Sequence, residues 1–290
     1  MTFREAERIF TDSLNPVYDR REAGSLAWLS ISHICKIERA EYLNLKDTEI
    51  PADKYESLLK ILEELKTGKP LQYIIGETEF YGLTFKVYPS VLIPRPETEE
   101  LVEWILSDVP NSKISIGGLK IIDIGTGSGC IPISLKKNLP EAQLYALDIS
   151  PEALGVSKQN AALNKTRIHF IHDDILNPIS RELIDEKFGI IVSNPPYVTE
   201  AEKQQMLPNV LEHEPHLALF VPNDDPLIFY RAIADFAIKH SDTNGSLYLE
   251  INENLGGETV QLLKQKGFKN IELRQDLSGK YRMIRSQYIN

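Results

Sequence analysis

Cysteine and long apolar runs are what this sequence has least of. Two cysteines, Cys35 and Cys130, stand among 290 residues, which is too few for a disulfide framework, so we expect both thiols to be reduced. No apolar stretch reaches the roughly 18 residues that a membrane-spanning helix needs, and the charged start at 2–7 is unlike a signal peptide. These absences predict a soluble, cytoplasmic protein without membrane contacts.

Positive charge is also scarce. The chain has 32 basic and 42 acidic residues and a formal net charge of −10, whereas a protein that binds duplex nucleic acid usually displays a basic stripe for the phosphates. Nucleic acid is therefore not the expected partner, although a local basic patch is compatible with an acidic total. No repeat, low-complexity tract or block of like charge stands out, and the length allows one large α/β domain and a smaller one.

A metal site is not indicated either. The pairs His213/His216 and Asp173/Asp174 each lack a third ligand at a suitable spacing. Surface or hydrogen-bonding roles explain these four side chains better than a metal does.

The pattern of apolar residues changes along the chain. Residues 1–70 show helical spacing without strand patterning and predict a small helical bundle. Residues 71–94 predict a β-hairpin linker, with β-type runs at 72–75 and 83–87. From 95 to 290 a helix precedes alternating strands and helices, which is typical of a parallel sheet covered on both faces. The predicted strands are 120–124, 143–148, 168–172, 188–193 and 246–251, followed by an antiparallel hairpin of 271–274 with 281–285.

The tetrapeptide 194–197, Asn-Pro-Pro-Tyr, is the most informative feature. It follows the apolar strand 188–193, so Asn194 lies at a strand's carboxyl end, where α/β sheets bind ligands. An amide or exocyclic amine nitrogen is a poor nucleophile because its lone pair is delocalised, and two acceptors on its hydrogens help to localise that pair. Asn194 Oδ1 and the carbonyl of Pro195, which Pro196 leaves without an N–H partner, are such acceptors. Tyr197 would add an aromatic wall for a planar group. The alternative is a proline-rich turn whose asparagine merely caps backbone.

A glycine-rich turn lies upstream. Strand 120–124 runs into Gly-Thr-Gly-Ser-Gly at 125–129, and the next strand ends in Asp148, 21 positions beyond Gly127. Glycines let backbone approach a ligand closely, and an acidic strand end is placed to bind a ribose diol. The dinucleotide fingerprint would require glycine or alanine at position 130, where this chain has cysteine, so the loop favours a ligand without a pyrophosphate.

Together these motifs resemble class I S-adenosylmethionine-dependent methyltransferases, and the match can be narrowed. The segments 70–76 (Pro-Leu-Gln-Tyr-Ile-Ile-Gly), 80–82 (Phe-Tyr-Gly) and 93–99 (Ile-Pro-Arg-Pro-Glu-Thr-Glu), with Glu214-Pro215, resemble the release factor glutamine methyltransferase family. The resemblance implies a Rossmann-like class I methyltransferase sheet, mostly parallel with an antiparallel C-terminal hairpin, behind a small N-terminal helical bundle. It also implies methylation of the glutamine amide nitrogen (N5) in the Gly-Gly-Gln motif of class 1 peptide chain release factors, with the bundle 1–70 docking that substrate.

The resemblance assigns roles to particular residues. It implies that the loop holds the methionine part of S-adenosylmethionine, Asp148 its ribose, and Asp174 with Ile175 its adenine edge. Some members carry tryptophan in place of Ile175, which would weaken adenine stacking here. The implied cofactor residues are Gly125, Thr126, Gly127, Ser128, Gly129, Asp148, Asp174, Ile175 and Asn194, and the implied substrate residues are Asn194, Pro195, Pro196 and Tyr197, with Asn194, Pro195 and Tyr197 catalytic.

Two other functions fit parts of the pattern. A nucleic-acid N-methyltransferase acting on adenine N6 or cytosine N4 faces the same problem of a conjugated amine, but the acidic composition and the lack of a basic recognition segment oppose it. A sensor of S-adenosylmethionine would need the loop and Asp148 only, and not Asn-Pro-Pro-Tyr. Arg95 and Glu97 are predicted either to close over the cofactor or steer substrate, or to form a structural hinge.

Overall fold

The computed structural model describes residues 1–111, 118–178 and 183–289. Contacts within the chain divide it into two compact units. The first unit is Met1–Gly76 with Leu207–His213, and the second is Glu77–Met206 with Glu214–Asn290. The second unit contains every strand listed below and the motifs at 93–99, 125–129 and 194–197.

The elements follow one another in chain order. The helices are α1 Phe3–Leu14, α2 Arg20–Cys35, α3 Arg39–Leu45, α4 Ala52–Leu65, α5 Leu71–Ile75, α6 Pro96–Asp108, α7 Cys130–Asn138, α8 Pro151–Leu163, α9 Pro208–His213, α10 Ile228–His240 and α11 Gly256–Gln265. The strands are β1 Glu77–Phe80, β2 Leu83–Lys86, β3 Lys120–Ile124, β4 Gln143–Asp148, β5 Ile168–His172, β6 Phe188–Ser193, β7 Val198–Thr199, β8 Phe220–Val221, β9 Ser241–Glu250, β10 Lys269–Gln275 and β11 Tyr281–Gln287.

A seven-stranded sheet in the order β10-β11-β9-β6-β3-β4-β5 forms the centre of the second unit. The pairs β9/β6, β6/β3, β3/β4 and β4/β5 are parallel, whereas β11 pairs antiparallel with both β9 and β10. The predicted parallel sheet with an antiparallel C-terminal hairpin is therefore present. In the structure β9 begins at 241 and not at the predicted 246.

Burial on both faces explains why the central strands are continuous apolar runs. Every residue of β6 is buried, as are four of the five residues of β3. Leu101, Trp104 and Ile105 of α6, together with α7, cover one face, and α10 and α11 cover the other. The helices that connect parallel strands cover both faces of the sheet, so the strands are removed from water on both sides.

The first unit is helical. The side chain of Thr2 accepts a hydrogen bond from the Glu5 N–H (3.3 Å) while the Glu5 carboxylate accepts from the Thr2 N–H (2.8 Å), a capping box that starts α1. Its core is a cluster of buried apolar side chains from α1, α2 and α4, among them Phe10, Leu14, Ile31, Leu58 and Leu65.

The prediction of a β-type run at 72–75 is wrong, since these residues belong to α5. The N–H groups of Tyr73 and Ile74 donate to the Pro70 carbonyl at 3.0 and 3.2 Å, and Gly76 ends the turn in the left-handed region at φ 74°. Burial of Leu71 and Tyr73 outweighs the β-propensity of the isoleucines. The hairpin uses the next residues instead, with Phe80 opposite Leu83.

Candidate active site

The carboxyl ends of β3, β4 and β6 border a cavity of about 450 Å³. Strand β3 lies between β4 and β6, so the order of strands in the sheet reverses at β3, the position at which α/β folds bind ligands. The cavity size lies in the range of small-molecule sites. Its lining contains the predicted cofactor residues Gly125, Thr126, Gly127, Ser128, Asp148, Asp174, Ile175 and Asn194, together with Pro195 and Pro196.

The glycine loop follows β3 and is held by the end of β4. The Leu147 carbonyl accepts hydrogen bonds from the N–H groups of Gly125 (2.8 Å) and Thr126 (3.0 Å). Gly125, Gly127 and Gly129 all have positive φ, between 55° and 80°. Gly129, which precedes α7, does not line the cavity; a Cβ built on it would lie 2.3 Å from Ser157 Oγ. The sequence pattern located this loop because only glycine accepts these conformations without strain.

Asp148 lies at the end of β4 with little exposure. Its carboxylate accepts from the Gly127 N–H (2.8 Å) and the Ser150 N–H (2.9 Å), which ties the loop to the strand end. Burial raises the pKa of this carboxyl, while the hydrogen bonds from Ser150 and Gly127 oppose the shift. Each carboxylate oxygen has two lone pairs, so acceptor capacity toward a ligand hydroxyl is left over.

Asp174 and Ile175 follow β5 and also line the cavity. The Asp174 carboxylate accepts from the Leu176 N–H (2.9 Å) and from Asn177 Nδ2 (3.1 Å), so it shapes its own turn. Ile175 is half-buried and presents an aliphatic wall.

Asn194 is half-buried at the end of β6. Its Nδ2 donates to Thr98 Oγ1 at 3.1 Å, which leaves Oδ1 on the other side of the amide. Pro195 is buried beside it and Pro196 is half-buried. Ser193, which precedes Asn194, donates from Oγ to the Ile124 carbonyl at 2.6 Å. This hydrogen bond connects the end of β6 to the end of β3.

Tyr197 is not brought together with the other predicted site residues. It is absent from the residues that line the cavity; its ring packs among the apolar side chains on the α10/α11 face of the sheet, and its hydroxyl donates to Glu250 Oε1 at 3.1 Å. The aromatic wall predicted for Tyr197 therefore stays a prediction.

Comparison with known proteins places this cavity in context. Family models match at 5–76 (PrmC N-terminal domain) and at 103–217 (methyltransferase small domain). Release factor glutamine methyltransferases of Flavobacterium psychrophilum, Bacteroides thetaiotaomicron and Lactococcus lactis are 46%, 40% and 40% identical to the chain, over 96%, 94% and 98% of it and 96%, 95% and 99% of their own lengths. The chain belongs to the release factor glutamine methyltransferase family. The resemblance seen in the sequence motifs is thus confirmed.

Membership of the release factor glutamine methyltransferase family also confirms the predicted enzyme class and cofactor: the chain is an S-adenosylmethionine-dependent methyltransferase. Solved structures agree on the fold. A methyltransferase from Pyrococcus furiosus matches with a TM-score of 0.51 at 15% identity, over 73% of this chain and 91% of that one. The human methyltransferase 10 domain containing protein matches with a TM-score of 0.51 at 16% identity, over 72% and 90%. The predicted fold class is confirmed.

Sequence reasoning missed two residues behind Asn194 in this family member. Thr98, in the first turn of α6, donates from Oγ1 to Glu250 Oε2 at 2.7 Å. Glu250 ends β9 and is buried, and burial raises the pKa of its carboxyl. Glu250 could have been noticed as an acidic strand end like Asp148, but nothing in the sequence indicates its pairing with a residue 152 positions away.

Arg95 and Glu214 form a second contact at the cavity. Arg95 lines the cavity and its guanidinium donates to the buried carboxylate of Glu214 at 2.5 Å, which also accepts from the Ile93 N–H at 3.3 Å. Glu214 thereby fixes the segment that leads into α6. Glu97 does not line the cavity.

Asn160 of α8 is another residue that the sequence did not reveal. Its side chain accepts from the Lys86 N–H (2.7 Å) and donates to the carbonyls of Lys86 (3.0 Å) and Ser128 (2.9 Å). It therefore joins the β1–β2 hairpin to the glycine loop.

At 1–111, 118–178 and 183–289, no cluster of three or more metal-ligating side chains occurs. In the same part of the chain, no helix has the length and apolar character needed to cross a bilayer.

Proposed function

We propose that this enzyme transfers a methyl group from S-adenosylmethionine to the side-chain amide nitrogen (N5) of the glutamine in the Gly-Gly-Gln motif of class 1 peptide chain release factors. The names of its relatives support the release factor as substrate. Because that substrate works in translation, the proposal places the reaction in the cytoplasm.

The observation that carries the proposal is the position of Asn194 relative to the glycine loop. Both border one cavity of about 450 Å³, so a methyl donor on the loop and an amide on Asn194 share the same space. Holding donor and acceptor in line is the main catalytic contribution available here, and positioning of this kind removes a large part of a bimolecular barrier.

The residues at the loop fit the cofactor. The left-handed glycines let backbone approach the methionine part, Asp148 retains acceptor capacity for the ribose hydroxyls, and Asp174 with Ile175 borders the adenine. When bound, S-adenosylmethionine supplies an already activated methyl group on a sulfonium, so the protein needs no strong base.

Asn194 and Pro195 are proposed to hold the glutamine amide. Thr98 occupies Nδ2 of Asn194, so Oδ1 is the atom left to accept a substrate N–H. A second N–H would go to the Pro195 carbonyl, and Pro196 stiffens this turn. These two acceptors stabilise the positive charge that grows on nitrogen during transfer. Tyr197 is proposed to support the turn from the side.

The helical first unit is proposed to dock the release factor. The sequence predicts the same role for residues 1–70, with 71–94 as the linker and 95–290 as the catalytic domain, whereas the first unit extends to Gly76 and includes Leu207–His213.

Methyl transfer from labelled S-adenosylmethionine to a purified bacterial release factor tests the proposal. We expect label on the wild-type factor, none on a factor whose Gly-Gly-Gln glutamine is alanine, and none on duplex or single-stranded DNA. Asn194→Ala should keep cofactor affinity while turnover falls by about 10²–10³, the typical cost of one such contact. Label on DNA, or on the alanine variant of the factor, would contradict the proposed substrate. Wild-type turnover by Asn194→Ala would remove Asn194 from the mechanism.

A further inference from the structure

A buried series of hydrogen bonds runs from Asn194 through Thr98 to Glu250. Glu250, with 1% exposure, accepts from the Thr98 hydroxyl (2.7 Å) and from the Tyr197 hydroxyl (3.1 Å), one on each carboxylate oxygen. Thr98, with 2% exposure, in turn stands 3.1 Å from Asn194 Nδ2. These hydrogen bonds connect the ends of β6 and β9 to the first turn of α6.

The donor and acceptor inventory gives this series a direction. Each oxygen of Glu250 accepts a hydrogen bond from a hydroxyl group, so the carboxylate acts as the acceptor in both contacts. A threonine hydroxyl can donate only one hydrogen bond, and Thr98 donates it to Glu250. Thr98 can therefore only accept from Asn194, and only the NH2 group of that amide can donate.

The consequence for Asn194 is that its two amide faces are no longer equivalent. An unrestrained asparagine amide can turn by 180°, which exchanges an acceptor for a donor at the same place. A donor facing the substrate N–H would oppose the positive charge that grows during transfer. With Nδ2 engaged by Thr98, the acceptor Oδ1 is the atom that is left for the substrate.

We infer that Thr98 and Glu250 are positioning residues that hold Asn194 with Oδ1 toward the substrate amide, an inference that rests on the function proposed for Asn194. Neither group has to touch the substrate. The carboxylate of Glu250 fixes the direction in which the Thr98 hydroxyl donates. The oxygen of Thr98 then fixes the orientation of the Asn194 amide.

Substitutions at Thr98 test the first half of this relay. Thr98→Val keeps the shape and removes the acceptor, so kcat should fall about 10- to 100-fold, the usual effect of losing a partner that orients a reacting ligand. The cofactor Kd should change by less than twofold. Thr98→Ser restores the hydroxyl and should recover most of kcat. Thr259→Val is the matched control, because Thr259 is equally buried and donates to the carbonyl of Leu255, the N-cap of α11; its kcat should be unchanged.

A double-mutant cycle separates positioning from general structural damage. If Thr98 acts only through Asn194, then Thr98→Val should lower turnover by less than about twofold in an Asn194→Ala background. Glu250→Gln should lower kcat in the wild type, because a carboxamide can donate as well as accept, and should likewise add nothing to Asn194→Ala.

Two results would overturn the inference. One is wild-type kcat in Thr98→Val, and the other is a loss of the same factor in the wild-type and Asn194→Ala backgrounds. The failure of the proposed function looks different, since Asn194→Ala would then itself turn over at the wild-type rate.

Discussion

At the scale of single residues, Gly129 is the position of the glycine loop with the least room for a side chain. Its φ is +80°, and a Cβ would lie 2.3 Å from Ser157 Oγ and 3.1 Å from Ile133 Cδ1. Gly127 also has a positive φ, +55°, but a Cβ there would meet nothing within 4 Å. Any other residue would therefore have a strained backbone at both positions, but only at Gly129 would its side chain also overlap with neighbouring atoms.

Alanine at these two positions should separate strain from overlap. Gly127→Ala should cost about 1–2 kcal/mol of unfolding free energy, the penalty of the left-handed region. Gly129→Ala should cost clearly more because Ser157 must also move, and Gly129→Ala combined with Ser157→Ala should regain part of the loss. Denaturant unfolding of the four proteins measures this; equal losses at both glycines would show that the overlap is relieved without cost.

Asp123, on the strand that precedes the glycine loop, makes the stability of the folded protein depend on pH. It lies on β3 and is fully buried. Burial raises the pKa of this carboxyl to about 7; a hydrogen bond from the Thr126 side chain opposes the shift, and the charge of Asp148 adds to it. In the unfolded chain the pKa is about 4, so the folded state holds the proton more tightly. The stabilisation that this proton provides is present at low pH and is lost as pH rises from about 4 through 7.

Asp123→Asn should remove this loss, because an amide does not titrate. We expect the stability of the wild type relative to Asp123→Asn to fall by roughly 2–3 kcal/mol between pH 5 and pH 8, at about 1.4 kcal/mol per pH unit below the folded pKa. Urea unfolding of both proteins at pH 5, 6, 7 and 8 measures the difference. Asp12→Asn on the exposed surface of α1 is the control. Parallel stability curves for wild type and Asp123→Asn would exclude the titration.

At the scale of elements, α8 connects the glycine loop to the hairpin through Asn160. Asn160→Ala would leave the Lys86 N–H, the Lys86 carbonyl and the Ser128 carbonyl without this partner. An unsatisfied buried group costs about 1–3 kcal/mol, so we expect a loss of about 3 kcal/mol or more and weaker cofactor binding. Denaturant unfolding and calorimetric titration with S-adenosylmethionine measure the two effects.

Asn164, one turn later and at the C-cap of α8, provides the matched control. Its Nδ2 donates to the Thr84 carbonyl of β2 at 2.9 Å, but it is only half-buried. Water can replace this bond, so Asn164→Ala should cost less than about 1 kcal/mol. Equal losses for both variants would mean that burial of Asn160 does not set its contribution.

The same scale shows what the sequence could and could not predict. Strands β3, β4, β5 and β6 lie at the predicted residues, because a strand buried on both faces is an uninterrupted apolar run between turn signals. Residues 72–75 were misassigned because a five-residue helix has too little periodicity to outweigh two isoleucines. The glycine loop could be identified from a short stretch of sequence, because its backbone conformations require glycine. The Thr98–Glu250 and Asn160–Ser128 contacts join distant parts of the chain, and one sequence contains no signal for such pairings.

At the scale of the whole molecule, the proposed docking role belongs to the first unit and the proposed chemistry to the second. The PrmC N-terminal domain model matches 5–76, nearly the whole of the continuous part of the first unit. That unit exposes isolated leucines, with Leu29 of α2 at 48% and Leu43 of α3 at 60%. Leu163 of α8, in the second unit, is exposed to the same degree as Leu29, at 47%. These leucines allow docking to be tested without removing any part of the fold.

If the first unit docks the release factor, charge on its apolar surface should weaken that contact alone. We expect Leu29→Glu or Leu43→Glu to raise the KM for the intact release factor by about tenfold or more, because burial of a leucine side chain contributes about 1.5–3 kcal/mol, while the S-adenosylmethionine Kd is unchanged. Turnover of a short peptide with the Gly-Gly-Gln sequence should also be unchanged, since such a peptide reaches only the cavity. Leu163→Glu is the control. An equal rise in KM for Leu163→Glu, or an equal effect on the peptide, would show that docking does not depend on the helical unit.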